Sequence, residues 1–394
     1  MAASSFPTGY HALHPDVDFN FQMNRWYNWI GEAAALEDMQ RIAGRIRDLS
    51  DWTREFVALA AAARQQGRTL AAAFYERAAN FYMLPGDPDR SRTRSAFLRD
   101  LAEVYGDALS DRHAVPYDDG RQRGVLPAYR LRHPSPASTV VVFGGFDTYI
   151  EELVRALLAL RDAGYEVIAF DGPGQGGALL DSGLHLTPDW HRPVGAVLDH
   201  FGVADAVLVG VSLGGGLVLR AAAREPRISR LVAYDVLDDF YEVVTARAGP
   251  RQRGILRHLL TARLDPAVNG IVGRTARSDP SSLWGLQQGM EVTGTGSPAA
   301  FLRAARALNT FDVSASVSQD VLILAGAADH YVPVAQCWRQ SAALTRARSV
   351  TARVFTAAED AASHCQVGNY GLVLETILGW LEVLRTRAEA GPRA

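Results

Sequence analysis

Asp205-Ala-Val-Leu-Val-Gly-Val-Ser-Leu-Gly-Gly-Gly216 joins a β-branched apolar run to a serine set among glycines. The run AVLVG is typical of a strand buried on both faces of a sheet, and LVLRAAARE, after the glycines, is typical of a helix. Between them, residues 210–214 match the pattern G-x-S-x-G, in which a sharp turn from strand to helix holds a serine hydroxyl off the sheet. The match alone is a weak signal. Its position between a strand and a helix makes Ser212 the candidate nucleophile.

The segments on either side of this turn alternate between strand and helix patterns. Short β-branched runs are followed by runs that carry apolar residues at three- and four-residue spacing. This alternation predicts βαβ units, and therefore an α/β fold with a mostly parallel sheet flanked by helices. The strand patterns are STVVVF (138–143), YEVIAF (165–170), AVLVG (206–210), RLVAYDV (230–236), DVLILAG (320–326) and SVTARVFT (349–356).

Two stretches with few strand patterns divide the chain of 394 residues into four parts. Residues 1–120 are interpreted as an N-terminal helical cap domain, because apolar residues recur through them at helical spacing. Residues 236–320 are interpreted as a helical lid insertion for the same reason. The α/β core is then expected in two parts, residues 121–235 and residues 321–394.

Composition excludes several classes of function. A formal net charge of −3 gives no general attraction to nucleic acid or to an anionic membrane. All 40 basic residues are arginine, so Schiff-base and lysine-base mechanisms are excluded. Two cysteines and ten scattered histidines provide neither a disulfide framework nor a metal-ligand pattern, and no metal site is expected.

A cytoplasmic protein without a cofactor is expected. The first residues show no signal-peptide pattern, and no apolar run approaches the roughly 20 residues of a membrane helix. The stretch DGPGQGG (171–177) does not have the spacing G-x-G-x-x-G and does not follow the first strand. A dinucleotide-dependent dehydrogenase is therefore disfavoured.

A serine nucleophile needs a base, and the base needs a carboxylate that orients it. Asp329 follows the strand pattern 320–326, and His364 lies in the loop EDAASHCQVGN (359–369) after the next strand. Because active sites of open parallel sheets lie at the carboxyl ends of the strands, Ser212, Asp329 and His364 are expected to converge at one edge.

Two neighbouring residues compete for chemical roles. His330 is a second candidate base, but it directly follows Asp329 and would have difficulty reaching both that carboxylate and Ser212. Cys365 is a second candidate nucleophile, but as the neighbour of His364 in sequence it is expected to point its side chain away from the site. His364 is therefore preferred as the base, and Cys365 is expected to be a bystander.

Backbone N–H groups are the expected donors to an oxyanion. The N–H of Leu213 lies at the start of a helix, where the helix dipole and unpaired N–H groups favour negative charge. A second donor is expected from the loop after STVVVF, because glycines there let the backbone approach a substrate oxygen. Gly145 and Phe146 are both candidates, and Phe146 is preferred.

Five stretches of the sequence are similar to those of one group of enzymes: FGGFDTYIEE (143–152), DGPGQG (171–176), GVSLGG (210–215), LILAGAADHYVP (322–333) and VFTAAEDAASHCQVGN (354–369). They resemble the α/β-hydrolase group that includes the fermentation-respiration switch protein, 2,6-dihydroxypseudooxynicotine hydrolase and the fungal yellowish-green pigment hydrolases that shorten polyketides. The resemblance implies the α/β-hydrolase fold, with Ser212 as nucleophile and Asp329 and His364 as its relay. One departure is Phe143, which stands where many relatives have histidine.

The resemblance also implies a reaction. Several members of the group cleave a carbon–carbon bond next to a ketone, which a serine triad can do when the leaving carbanion is a stabilised enolate or phenyl carbanion. The expected substrate is therefore a small-molecule acyl or ketone compound, such as a β-diketone or aryl ketone of polyketide or secondary-metabolite type. Esterase, thioesterase or acyl-transferring cyclase activity on a similar substrate is left open, and so is a homodimer.

Additional carboxylates follow the strand pattern RLVAYDV. The dihydroxypseudooxynicotine hydrolases use a further carboxylate in roughly this region, so the resemblance makes Glu242 or Asp238 a candidate to orient a phenol or ketone. The alternative is that these acids stabilise the start of a helix. A non-catalytic hydrolase fold that only binds a ligand is disfavoured, because serine, acid and histidine all stand at the expected strand ends.

Overall fold

The computed structural model describes residues 6–277 and 279–389. Within these residues one mostly parallel sheet forms the centre of the fold, as the alternation of strand and helix patterns predicts. Its strands are β1 (Arg112–Asp118), β2 (Arg123–Leu131), β3 (Thr139–Phe143), β4 (Glu166–Phe170), β5 (Ala206–Val211), β6 (Ile228–Tyr234), β7 (Asp320–Gly326) and β8 (Ser349–Phe355). They lie in the order β1-β2-β4-β3-β5-β6-β7-β8. β2 is antiparallel to β1 and β4, and the other neighbouring strands are parallel.

The first strand lies where the sequence favoured helix. Residues Arg112–Asp118 fall within the range 1–120, yet they pair with β2 at one edge of the sheet. A strand is hard to predict from these residues, because several of them are charged and face solvent and because Pro116 interrupts the apolar run. An edge strand tolerates proline, since one side of its backbone has no ladder partner.

The described helices occupy four positions along the chain. Those before the sheet are α1 (Val17–Ile30), α2 (Ala33–Ala43), α3 (Leu49–Gln65), α4 (Thr69–Phe81) and α5 (Arg90–Tyr105). Four that follow β3, β4 and β5 are α6 (Val154–Asp162), α7 (Gly176–Leu180), α8 (His191–Phe201) and α9 (Leu213–Ala222). Between β6 and β7 lie α10 (Phe240–Val244), α11 (Pro250–Thr261), α12 (Asp265–Arg277), α13 (Pro280–Thr293) and α14 (Pro298–Ala307). After β7 come α15 (Ala335–Ala343) and α16 (Tyr370–Glu389).

The sheet separates two hydrophobic clusters, because side chains alternate between its faces along each strand. Val140 and Val142 of β3 face a cluster that includes α1–α4, α6 and α16, and we call this side the cap face. Val141 and Phe143 face a cluster that includes α8, α9 and the helices between β6 and β7, and we call this side the insertion face. The two groups of additional helices therefore extend from opposite faces of one sheet.

Helix α1 is buried on almost all sides. Its start is capped by Asp16, whose side chain accepts hydrogen bonds from the N–H groups of Asp18 and Phe19, and it ends at Gly31 with a φ of 75°. Because a buried polar group without a partner is costly, the polar residues of this helix must find partners in the neighbouring structure. Two of those partners lie at the site described below.

The helices before the sheet, α1–α5, are called the cap helices here, and those between β6 and β7, α10–α14, are called the inserted helices. The two groups contact each other directly. Trp284 of α13 stacks on Phe81 of α4, with ring centroids 4.7 Å apart, and its Nε1 donates to the carbonyl of Phe81 at 2.8 Å. Arg90 and Glu291 form a two-bonded ion pair at 2.5 and 2.7 Å. Among the described helices, none has the length and apolar character needed to cross a membrane.

Candidate active site

Ser212 occupies a strained turn between β5 and α9. Its φ is 61° and its ψ is −121°, a region that costs a residue with a side chain about 1–3 kcal/mol. The flanking glycines are sterically required. A Cβ at Gly210 would lie 2.2 Å from the carbonyl oxygen of Gly214, and a Cβ at Gly214 would lie 2.5 Å from the carbonyl oxygen of Gly144. The turn therefore lifts the serine away from the strand in the manner expected from G-x-S-x-G.

His364 connects Ser212 to Asp329. Its Nε2 lies 2.9 Å from Oγ of Ser212, and its Nδ1 lies 2.6 Å from Oδ2 of Asp329. The other carboxylate oxygen of Asp329 accepts the N–H groups of Tyr331 and Val332 at 2.7 and 2.9 Å. The structure thus brings together three residues that lie more than 30 positions apart in the sequence.

A second carboxylate, that of Asp235, also contacts His364. Its Oδ2 lies 3.2 Å from Nδ1 of His364, and its Oδ1 accepts a hydrogen bond from Gln366 at 2.9 Å. The N–H of Cys365 also donates to this carboxylate. Asp235 directly follows β6, with a φ of 59°. Its position at the carboxyl end of a parallel strand was the available sequence signal.

The surroundings of His364 determine when it can accept a proton. Burial opposes the charged imidazolium, but the negative charge of Asp329 and the hydrogen bond to Asp235 outweigh it and raise the pKa of His364 well above its ordinary value. Such an arrangement stabilises the imidazolium that forms when a histidine takes a proton from a serine.

The thiol of Cys365 faces the same cluster, and the expectation that it points away is wrong. Cys365 has a φ of 49°, and its Sγ lies within 4.8 Å of a ring nitrogen of His364 and a carboxylate oxygen of Asp235. Burial raises the pKa of this thiol to about 11. A metal ion held by these three groups would compete with the hydrogen bonds of His364 and Asp235.

His330 lies beside the site but is directed elsewhere. Its ring is 3.8 Å from that of Tyr331 and 5.0 Å from that of Phe21, measured between centroids. Its Nε2 is 3.7 Å from Oδ1 of Asp18. Burial lowers the pKa of His330 to about 4. The residue that contacts Ser212 is His364.

The loop after β3 packs tightly against the serine turn. A Cβ at Gly145 would lie 2.9 Å from Cβ of Ser212 and 3.2 Å from the backbone nitrogen of Leu213. The side chain of Gln175 holds this loop by donating to the carbonyl oxygens of Gly144 and Gly145 at 2.6 and 3.1 Å. In space, the Ser212 side chain therefore lies between the backbone at the start of α9 and the backbone of the loop after β3.

Phe143 and Phe146 take different positions around this loop. The ring of Phe143 is fully buried on the insertion face, 5.2 Å from the ring of Trp190. The ring of Phe146 lines the cavity described below and lies 5.5 Å from that of Phe240. The hydrogen bonds from Gln175 hold the loop that follows Phe143.

A buried ion-pair network connects the cap helices to the same loop, and no local sequence pattern indicates it. Arg25 of α1 contacts Asp147 at 3.0 Å and Glu152 at 2.6 Å. Arg77 of α4 contacts the other oxygen of Glu152 at 2.6 Å and donates to the carbonyl of Asp147 at 2.6 Å. Because Asp147 directly follows Phe146, these arginines position the loop from the cap side.

A cavity of about 660 Å³ opens onto Ser212 and His364. This volume lies within the range of small-molecule sites. The cavity is lined by α1, by the loop after β3, by residues between β6 and β7, and by the start of α16. Most lining side chains are apolar, and polar groups are provided chiefly by α1 and by the inserted segment. The polar side chains include Asp18, Gln22, Arg25, Asp147, Thr245, Arg247, Ser282 and His330.

Asp238 and Glu242 are directed toward Arg339 and are not among the residues that line this cavity. The carboxylate of Asp238 receives two hydrogen bonds from Arg339 at 2.9 and 2.7 Å. Glu242 contacts Arg339 at 2.5 Å and Arg253 at 3.4 Å. The Asp238 side chain is 2% exposed. These contacts account for both acids as parts of an ion-pair group that joins the start of the inserted segment to Arg339 of α15.

The part of the chain that holds strands β4–β8, the serine turn and His364 matches a known family. The family described as alpha/beta hydrolase fold matches residues 142–366. Because this match spans more than half of the chain, the protein belongs to the α/β-hydrolase family.

Curated relatives add an enzymatic class. Hydrolase LUC6 of Fusarium sp is 29% identical over 359 residues, which cover 82% of this chain and 84% of that protein. The 20-hydroxy-prefusarin hydrolase FUS2 of Gibberella moniliformis is 30% identical, with the same coverage of 82% and 84%. The chain is a hydrolase, and its predicted resemblance to fungal hydrolases of this group is confirmed.

Two solved structures share the fold over most of the chain. The structure of AbyA5 has a TM-score of 0.61 at 18% identity and covers 88% of each chain. The structure of the 2,6-dihydroxy-pseudo-oxynicotine hydrolase has a TM-score of 0.60 at 20% identity and covers 91% of this chain and 94% of that chain. The predicted α/β-hydrolase fold is therefore confirmed.

Proposed function

We propose that this hydrolase acts through an acyl-enzyme, with Ser212 as nucleophile, His364 as base and Asp329 as the carboxylate that orients it. The observation that carries the proposal is the chain of hydrogen bonds from Ser212 Oγ to His364 Nε2 at 2.9 Å and from His364 Nδ1 to Asp329 at 2.6 Å. This chain faces a cavity of small-molecule size. Asp235 is proposed as a second orienting carboxylate.

In the acylation step, Oγ of Ser212 attacks a substrate carbonyl while His364 takes its proton. The carbonyl oxygen becomes an oxyanion, which receives hydrogen bonds from the N–H of Leu213 and from an N–H of Gly145 or Phe146. The close packing of Gly145 against Ser212 supports a donor from this loop. Asp329 and Asp235 stabilise the imidazolium until the leaving group takes the proton.

The bond proposed to break is a carbon–carbon bond next to a ketone. Collapse of the tetrahedral intermediate expels a carbanion, and the imidazolium of His364 protonates it. Water then attacks the acyl group with His364 as base, so that one water is consumed and a carboxylic acid and a C–H compound are released. The resemblance to ketone-cleaving hydrolases supports this reaction, as does a cavity that is mostly apolar and therefore favours a β-diketone or aryl ketone.

The two groups of helices are proposed to act as a cap and a lid over this reaction. Residues of α1 and residues between β6 and β7 line the same cavity. Arg247 from the inserted segment pairs with Asp18 of α1, and Trp284 from the same segment stacks on Phe81 of α4. These contacts would hold the cap and the lid together over bound substrate and limit the access of water.

The test is incubation with a β-diketone and an aryl ketone, followed by mass analysis of the products. C–C cleavage yields an acid and a shortened ketone or arene, whereas esters and thioesters of the same acids report the alternative activity. Ser212→Ala is expected to abolish both, with an unchanged circular dichroism spectrum. Turnover that survives in Ser212→Ala would exclude the serine mechanism, and turnover of esters alone would exclude the C–C reaction.

A further inference from the structure

The cavity next to Ser212 extends along both faces of the sheet. On the insertion face it is lined by Phe240, Leu256 and Phe301. On the cap face it continues between α6 and α16, and we call this part the inner channel. Its lining side chains include Val142, Ala156, Leu157, Leu160, Val209 and Ile377.

The inner channel differs from the rest of the cavity in its chemistry. Each of the six side chains named above is a hydrocarbon. The charged groups of the cavity include Asp18 and Arg25 of α1, Arg247 of the inserted segment, and Asp147 of the loop after β3. A polar substrate group placed in the channel would lose its hydrogen bonds to water without gaining others, which is costly. The channel therefore suits a hydrocarbon chain.

We propose that the inner channel binds the hydrocarbon chain on the acyl side of the substrate. This inference rests on the proposed function, because it assigns the two halves of a cleaved ketone. The departing carbanion must be conjugated with a carbonyl or a hydroxyaryl ring, and that polar group has no partner among the channel side chains. The half that enters the channel is then the half that stays on Ser212.

The dimensions of the channel set a chain length. Val211 and Val209 of β5 lead from Ser212 into it. Leu153, which directly precedes α6, and the helix from there to Leu160 line it. Seven residues of helix span about 10 Å, which is room for an extended chain of about eight carbons. The acyl half is therefore a straight or unsaturated chain of this size.

A series of p-nitrophenyl esters from acetyl to dodecanoyl tests the channel. The value of kcat/KM is expected to rise about two- to fourfold per methylene and to level off near eight carbons. Ala156→Phe fills the channel and should lower the ratio of octanoyl to acetyl kcat/KM by about tenfold or more. The control is Ala159→Phe, which adds the same bulk to α6 at a half-buried position outside the cavity lining and should leave this ratio unchanged.

A binding measurement tests the channel without turnover. In Ser212→Ala, calorimetry should show that octanoate binds more tightly than butyrate, and Ala156→Phe added to this variant should remove the difference while Ala159→Phe keeps it. Equal affinities, or a flat chain-length profile with turnover that depends on Ser212, would overturn the channel and leave the serine mechanism standing. Ester turnover that survives in Ser212→Ala would instead overturn the proposed function, and the octanoate measurement would still decide the channel.

Discussion

Asp235 and Asp329 place carboxylate oxygens 3.2 Å and 2.6 Å from the same atom, Nδ1 of His364. The two acids follow β6 and β7, which are neighbouring parallel strands. Topology therefore brings both carboxylates to one imidazole. Asp235 also accepts the N–H of Cys365 and the side-chain amide of Gln366, so it positions the turn that contains His364. Loss of either carboxylate would leave the imidazole with one remaining anionic partner.

The paired carboxylates predict an unusually mild Asp329→Asn variant. We expect kcat/KM for p-nitrophenyl acetate to fall about 10- to 100-fold, because Asp235 can still accept the Nδ1–H, whereas loss of a sole triad carboxylate costs about 10⁴-fold. The double variant Asp235→Asn/Asp329→Asn should reach the full loss. A loss of about 10⁴-fold in Asp329→Asn alone would show that Asp235 does not substitute for it.

The raised pKa of His364 predicts the pH dependence of the reaction. The base must be neutral, so activity is present above the pKa of His364 and is lost as pH falls through it. Because the neighbouring carboxylates raise this pKa, the acid limb of kcat/KM should lie above the ordinary histidine value of about 6.5. Asp235→Asn removes one negative charge and should move this limb to lower pH. A limb that does not move would indicate that Asp235 has only a structural role.

Cys365 should contribute little to the chemistry in spite of its place beside His364. Its thiol stays protonated at neutral pH, because burial raises its pKa to about 11. Cys365→Ser should change kcat/KM by less than about tenfold, or about 1.4 kcal/mol, whereas His364→Ala should lose nearly all activity. Rapid inactivation of the wild type by iodoacetamide with labelling at Cys365, together with a dead Cys365→Ser variant, would favour a thiol mechanism instead.

The sequence predicts the parts of the site that depend on strand ends and does not predict those that depend on long-range packing. Ser212, Asp329 and His364 follow recognisable strand patterns, so the topology of a parallel sheet is enough to bring them together. The partner that Asp238 and Glu242 share, Arg339, lies about 100 residues away. A sequence pattern cannot show that an ion pair with this residue directs both acids away from the cavity. Local patterns show which residues stand at an edge, and packing decides where their side chains point.

The ion-pair network around Glu152 also joins residues that lie far apart in the sequence. It predicts that loss of one of its cations lowers the stability of the fold. The Glu152 side chain is 0% exposed and contacts Arg25 and Arg77. Arg25→Met removes one of these cations and should lower the free energy of unfolding by about 3–5 kcal/mol. The matched control is Arg41→Met, since the Arg41 side chain is 54% exposed in its pair with Asp38 and should cost less than about 1 kcal/mol. Urea unfolding of both variants measures the difference, and equal values would contradict the network's role.

A substitution at Gly145 is expected to impair activity much more than folding. A Cβ there would lie 2.8 Å from the carbonyl oxygen of Val211 and 2.9 Å from Cβ of Ser212. Neither atom can retreat without moving the serine turn, so the loop must shift and take its N–H groups away from the oxyanion.

Gly145→Ala should therefore lower kcat about 10²- to 10³-fold, the range measured for loss of one oxyanion donor, with a small change in KM. The control is Gly254→Ala in α11, where a Cβ meets no atom within 4 Å and alanine is the better helix former by up to about 1 kcal/mol. It should keep full activity and unfold at an equal or higher temperature. If Gly145→Ala stays within about threefold of the wild type in kcat, the loop after β3 does not provide the second donor.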